Sequence, residues 1–235
     1  KLVVPIWRGL VSAFEAGKAR RGGGGELPRV EQDIPIFVVG LVAVALLAPA
    51  GWLLAAFALS GPAGAVALPL TIAAVAYLVF AGLLAAAVCG YMAGLIGSSN
   101  SPVSGIAILT VLGASLMVGM ASRGMIGADV TKALIAYALY VTTCVLAVAV
   151  VANDNLQDLK TGQLVDATPW KQQVGLIIGV ISGAVVIPLV LELLNRSNGF
   201  AGAPNLHAIS DQPLAAPQAT LISTLAKGVL GGDLN

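Results

Sequence analysis

Charge is scarce in this chain. Asp, Glu, Lys and Arg together make up 10% of its 235 residues, against about 25% in an ordinary soluble domain. A water-facing globule of this size has more surface than so few charges can cover, and that class is excluded. The net charge of +1 leaves no basic field for nucleic acid. Cysteine occurs twice, at Cys89 and Cys144. Both sit inside apolar runs without metal-ligand spacing, so neither a disulfide scaffold nor a metal site is expected. They read as small hydrophobic residues in helix interiors. The single histidine, His207, lies in a polar stretch and reads as a solvated side chain despite its useful titration range.

What is abundant is apolar sequence. Hydrophobic residues make up 58% of the chain and the mean hydropathy is +0.94. Five long runs carry it: Ile34 to Leu59, Leu68 to Met92, Val103 to Ala121, Ala133 to Ala152, and Val174 to Leu194. About 20 apolar residues in a helix cross roughly 30 Å of hydrocarbon, and each run meets that length. Strands of a lipid barrel would be about 10 residues long with alternating polarity, and no such alternation is present. The fold class expected is therefore all-α: a polytopic integral membrane protein with about five transmembrane helices plus a broken or re-entrant segment. Its first partner is the lipid bilayer.

Residues 1–33 form a separate region. Ile6, Trp7, Leu10, Val11 and Phe14 fall on one helical face, with Arg8, Ser12 and Glu15 elsewhere, which predicts an amphipathic juxtamembrane segment. "RRGGGGELPRVEQD" follows as a flexible polar linker. Its glycine run lacks the preceding strand and the Gly-Lys-Ser/Thr ending of a phosphate loop. Residues 34–235 then form the transmembrane domain. The opening residues do not read as a cleavable signal peptide. The initial Lys and the closing "GGDLN" read as cuts through a longer protein.

Lys and Arg collect on the cytoplasmic side of membrane helices. With the N-terminal segment cytoplasmic, that side carries Lys1, Arg8, Lys18, Arg20, Arg21, Arg29, Lys160 and Lys171, and the other side carries Arg123, Lys132 and Arg196. The fifth run has a clear start: Thr168 at the cap, Pro169 at the first helical position, and Trp170 with Lys171 at the interface. Gly175, Gly179 and Gly183 recur four apart, a spacing that lets helix backbones approach closely in lipid. The last apolar stretch, "PLAAPQATLISTLAKGVLGG", is short and reads either as a re-entrant arm or as the start of a further crossing.

Two polar interruptions stand out. In "GLIGSSNSPVSG" Pro102 removes a donor and pushes Ser101 toward extended backbone. Ser98, Ser99, Asn100, Ser101 and Ser104 supply donors and acceptors. Freed amides from Val103 to Ile106 would point positive dipole toward an anionic group. Such a break suits a solute pathway, and a plain turn between two helices accounts for it equally well. The second interruption is "ANDNLQDLKTGQLVDATPWKQQ", from Ala152 to Gln173. Asp154 or Asn155 can cap a single helical turn there, ending at Gly162. It reads either as a solvated loop or as an aqueous mouth lined by Asn153, Asp154, Asp158 and Lys160. Glu192 is the one acid inside an apolar run, close enough to its end to snorkel.

Three stretches together resemble the oligopeptide transporter family, especially its bacterial members and the related yellow-stripe branch. They are "CGYMAGLIGSSNSPVSGIAIL", "NDNLQDLKTGQLVDATPWKQQVG" and "LAAPQATLISTLAKGVLGGDL". "RVEQDIPIFVVG" is similar to the family's lead into a transmembrane helix. The resemblance implies a secondary active transporter in the bacterial cytoplasmic membrane. It would couple symport of small peptides, or of peptide-like metal chelates, to protons, with no catalytic centre and no cofactor. It also implies that this chain is shorter than a complete member. It moves the reading of Ser98, Ser99, Asn100, Ser101 and Ser104 toward pathway lining, with Asn153, Asp154 and Asp158 next and Gln218 after them. No resident metal is expected, and an oligomer is compatible. The alternatives are a membrane-embedded enzyme, for which no nucleophile–base pair or Gly-x-Ser-x-Gly or His-Glu-x-x-His pattern is found, and a passive channel or structural membrane subunit.

Overall fold

The apolar runs have no polar face to turn toward water, so their backbones must satisfy themselves by helix formation. The computed structural model describes residues 8, 11–12, 15, 17, 28–123, 127–201 and 213–232. From residue 28 on, the described residues form six α-helices in succession: α1 (Ile36–Leu59), α2 (Ala67–Ile96), α3 (Val103–Ala121), α4 (Ala128–Leu164), α5 (Pro169–Ser197) and α6 (Pro217–Gly231). The first five are long and apolar enough to cross a membrane. Among the described residues the only extended pairing is an isolated bridge between Phe200 and Leu214. The protein is all-α and polytopic.

The core lies between α2, α3 and α4. Leu70 and Ala74 of α2, Ala114 and Val118 of α3, and Tyr137, Ala138 and Val141 of α4 are buried together. Alanines at the contacts let these backbones approach, the usual means of helix association where lipid offers no hydrophobic gain. Tyr77 of α2 reaches across to Gly113 of α3, and its hydroxyl donates to the Thr110 carbonyl at 2.9 Å. From α1 only Leu54 and Ala58 are buried, and Phe57 stacks on Tyr140 with ring centroids 4.9 Å apart. A second cluster unites Ala85 and Cys89 of α2 with Val145 and Ala149 of α4, covered by Val103 and Ile106 of α3. Cys89 is fully buried here, as a small hydrophobe would be.

The structure corrects the expected course after Ala152. The chain does not leave the membrane there as a loop with a separate helical turn. α4 continues unbroken to Leu164, so 37 residues make a rod of about 55 Å. No glycine or proline lies between Ala152 and Gly162. Leu156 packs against Gly90 of α2, and that contact outweighs the weak helix preference of Asn and Asp. α5 starts with Pro169 in its first turn, as expected, and includes no buried residue. Nothing described lies within 4 Å of a side chain built at Gly175 or Gly179, so the close packing expected of that glycine face is not made among the described residues.

α6 is short. Its 15 residues span about 22 Å, less than the roughly 30 Å of hydrocarbon. It packs on α3 and α4 and runs parallel to α3, with Gln218 beside Ser104 and Leu230 against Gly119. Within the expected N-terminal region, residues 8, 11, 12, 15 and 17 are helical, and Arg29–Glu31 form a 3-10 turn. The amphipathic face of Ile6, Trp7, Leu10 and Phe14, the glycine run and His207 lie outside the described residues.

Candidate functional site

α2 ends because Gly97 adopts φ +86°, a left-handed conformation that glycine takes without a Cβ penalty. A short 3-10 turn, Ser98–Asn100, follows. The chain then doubles back. The Ser101 hydroxyl reaches the Cys89 carbonyl at 3.5 Å, about 10 Å short of the end of α2 by helical rise. α3 therefore starts deeper than α2 stops. Its first residues, Val103 and Ile106, cover the cluster of Ala85, Cys89, Val145 and Ala149.

Each expected residue of the break has a definite place. Ser98 and Ser101 are half-buried, while Ser99, Asn100 and Ser104 are exposed. The Ser98 N–H donates to Gln157 Oε1 of α4 at 2.8 Å. Asn100 Nδ2 donates to the Ile96 carbonyl at 3.4 Å. Ser104 Oγ accepts from Gln218 Nε2 at 3.2 Å, which joins the break to the start of α6. Not all the amides expected to be free remain so. The Val103 N–H turns back to the Ser101 carbonyl at 2.9 Å, and the Ile106 N–H bonds the Pro102 carbonyl at 3.0 Å. The local turn satisfies them before any ligand is needed.

The second group of expected residues is divided by the helix. Asn153 continues the stripe formed by Val145 and Ala149 and is 5% exposed. Asp154 and Asp158 face outward and are exposed. Asp158 instead lines a cavity of about 440 Å³ between the end of α4 and α5, together with Thr161, Gln172 and Gly175. Gln172 rests against Gly162, donates to the Asp158 carbonyl at 3.1 Å, and leaves its own buried Oε1 without a partner among the described residues. A further cavity of about 270 Å³ lies beside the break's end of the bundle, lined by Asp33, Gly94, Leu156, Lys160 and Gln163 among others. Glu192 is exposed and paired with Arg196 at 2.6 Å.

Two features escaped the sequence reading. Gln157 lies four residues after Asn153, hence on the same face of a helix. That relation was visible only if the polar segment was read as helical. The other is the junction of α4 and α5. Thr168 occupies the cap position without capping its own helix. Its hydroxyl accepts instead from Arg29 Nε at 3.1 Å, and the Trp170 N–H donates to the Gln32 carbonyl at 3.1 Å. The linker thus supplies a cap from outside the helix. Among the described residues no group of three His, Cys, Asp or Glu side chains is placed to hold a metal.

Five spanning helices, a helix broken below the level where its partner ends, and polar side chains gathered at that break define a polytopic α-helical membrane protein with a built polar interruption. The chain belongs to the family described as OPT oligopeptide transporter protein, whose pattern matches residues 6–235. A protein of Haemophilus influenzae (strain ATCC 51907 / DSM 11121 / KW20 / Rd), named "Putative oligopeptide transporter", is 49% identical over 160 residues. That match covers 66% of this chain and 25% of the relative, so it takes in about a quarter of the relative's length. No solved structure matches.

Proposed function

We propose that this chain forms part of a secondary active transporter that carries small oligopeptides across a membrane by symport with protons, and not of an enzyme. The observation that carries this reading is the break itself. Ser98, Ser99, Asn100, Ser101 and Ser104 interrupt two spanning helices, and the half-buried Gln157 of α4 bonds to Ser98, with the buried Asn153 one helical turn before it. Hydroxyl and amide groups match the carboxylate, amine and amide groups of a short peptide, and the fixed charge a phosphate would require is missing from the cluster. Broken helices at membrane depth are a common way for transporters to present such groups. Peptide-like metal chelates offer the same groups and are the second substrate class.

In this reading the break lies on the cytoplasmic side of a bacterial inner membrane. Arg29, Lys160 and Lys171 support this, since they fall at the end of the bundle where the break and the linker meet, as the positive-inside rule requires. For proton coupling, Asp154 and Asp158 are the candidate carboxylates on α4, and Gln218 joins the pathway through Ser104. The test is uptake of labelled tripeptide into proteoliposomes holding the full-length transporter. Saturable uptake that grows with an inward proton gradient is expected. Uptake indifferent to that gradient would remove the coupling, and non-saturable flux would point to a channel.

A further inference from the structure

The stripe of α4 that faces the break changes character along its length. Val145 and Ala149 belong to an apolar cluster with Ala85 and Cys89. Four residues on is Asn153, and four beyond that is Gln157, whose Oε1 accepts the Ser98 N–H at 2.8 Å. Asn153 is therefore wedged between a dry cluster and the first hydrogen bond of the break. Its Nδ2 is 3.5 Å from Asp154 Oδ1, but its Oδ1 is buried without a partner among the described residues. A buried acceptor left unmade is costly, and native proteins keep few of them. Leucine of nearly the same size would fill this place, favour the helix more and leave nothing unpaired.

We infer that Asn153 is retained as the acceptor for an N–H donor of the transported solute, at the inner margin of the break, and that Gln157 is the positioning residue that fixes the break around it. This rests on the transporter reading above. The chemistry selects the ligand class. An uncharged amide oxygen in a dry surrounding takes a peptide N–H or a terminal ammonium. Gln157 acts through the chain: by holding the Ser98 amide it sets where Ser98 to Ser101 lie relative to Asn153.

The experiment measures trialanine uptake by the full-length transporter in proteoliposomes, and thermal melting of the same proteins in detergent. Asn153→Leu is expected to raise KM about tenfold, the loss of one good hydrogen bond, with a melting temperature equal to or above that of the wild type. Asn153→Thr, which keeps an uncharged acceptor oxygen in place, is expected to hold KM within about threefold. Gln157→Leu is expected to lower kcat and raise KM together, with Gln157→Glu restoring both. An unmoved KM in Asn153→Leu overturns the assignment, as does a fall in its melting temperature accompanied by equal loss in the Thr variant. If wild-type protein shows no saturable uptake, the transporter reading fails and this one with it. Saturable wild-type uptake with an unmoved Leu variant removes only the role of Asn153.

Discussion

At Ser98–Ser104 the chain stops one helix, steps back into the bundle and starts another. At 152–173 it carries nearly as many polar groups, yet the helix runs straight through the first half of them and then turns sharply into the next. Composition does not separate the two regions, because both are rich in Ser, Asn, Asp, Thr or Gln. What separates them is where backbone freedom and backbone restriction fall. Gly97 supplies a left-handed residue and Pro102 forbids continuation, so the first segment breaks at once. The second meets no glycine until Gly162 and no proline until Pro169, so it breaks late, outside the apolar run. A polar stretch in a membrane helix is thus a statement about side-chain environment, and Gly and Pro decide the path.

The strongest way to test that contrast is Gly97→Val. A β-branched residue at φ +86° costs on the order of 1–3 kcal/mol, and the Ser98 to Gln157 bond depends on that turn. We expect near-complete loss of uptake and a lower melting temperature in detergent. Wild-type behaviour would mean that the break does not depend on this glycine. Asn100→Ala comes next. The side chain is exposed and makes one long bond to the Ile96 carbonyl, so membrane insertion and melting should be unchanged while uptake falls about five- to tenfold, on the scale of one hydrogen bond to solute. Unchanged uptake would return this residue to the role of a plain connector. The mildest change is at the elbow. Thr168→Val removes the acceptor for Arg29 and should lower stability by about 1 kcal/mol, read as a small shift in melting with KM unaltered. A large KM effect would make the elbow part of the solute route and erase the distinction between the two regions.

The spans were legible because length and apolarity alone suffice in lipid: runs of this kind have no alternative to the helix. The candidate site was legible only in part. Ser98 to Ser104 announced themselves by interrupting an apolar sequence, and Gln218 joined them across 114 residues through a contact no local pattern encodes. Gln157 was hidden because its neighbours read as a loop, and without the helix its relation to Asn153 disappears. Thr168 was read as the cap of its own helix, yet a linker arginine claims its hydroxyl. The repeat of Gly175, Gly179 and Gly183 identified a face of α5, but spacing alone says nothing about what lies against that face.

The unbroken length of α4 has a mechanical consequence. One end bears the exposed Asp129–Lys132 pair and the other the elbow, with Asn153 and Gln157 between. A rod of about 55 Å pivoting by roughly 10° sweeps its tip through about 10 Å, a motion of the domain-hinge type. Its hydrogen bonds to the break at Gln157 and to α5 at Asp158 fall one residue apart near that tip, so any tilt of the rod would carry both attachments together.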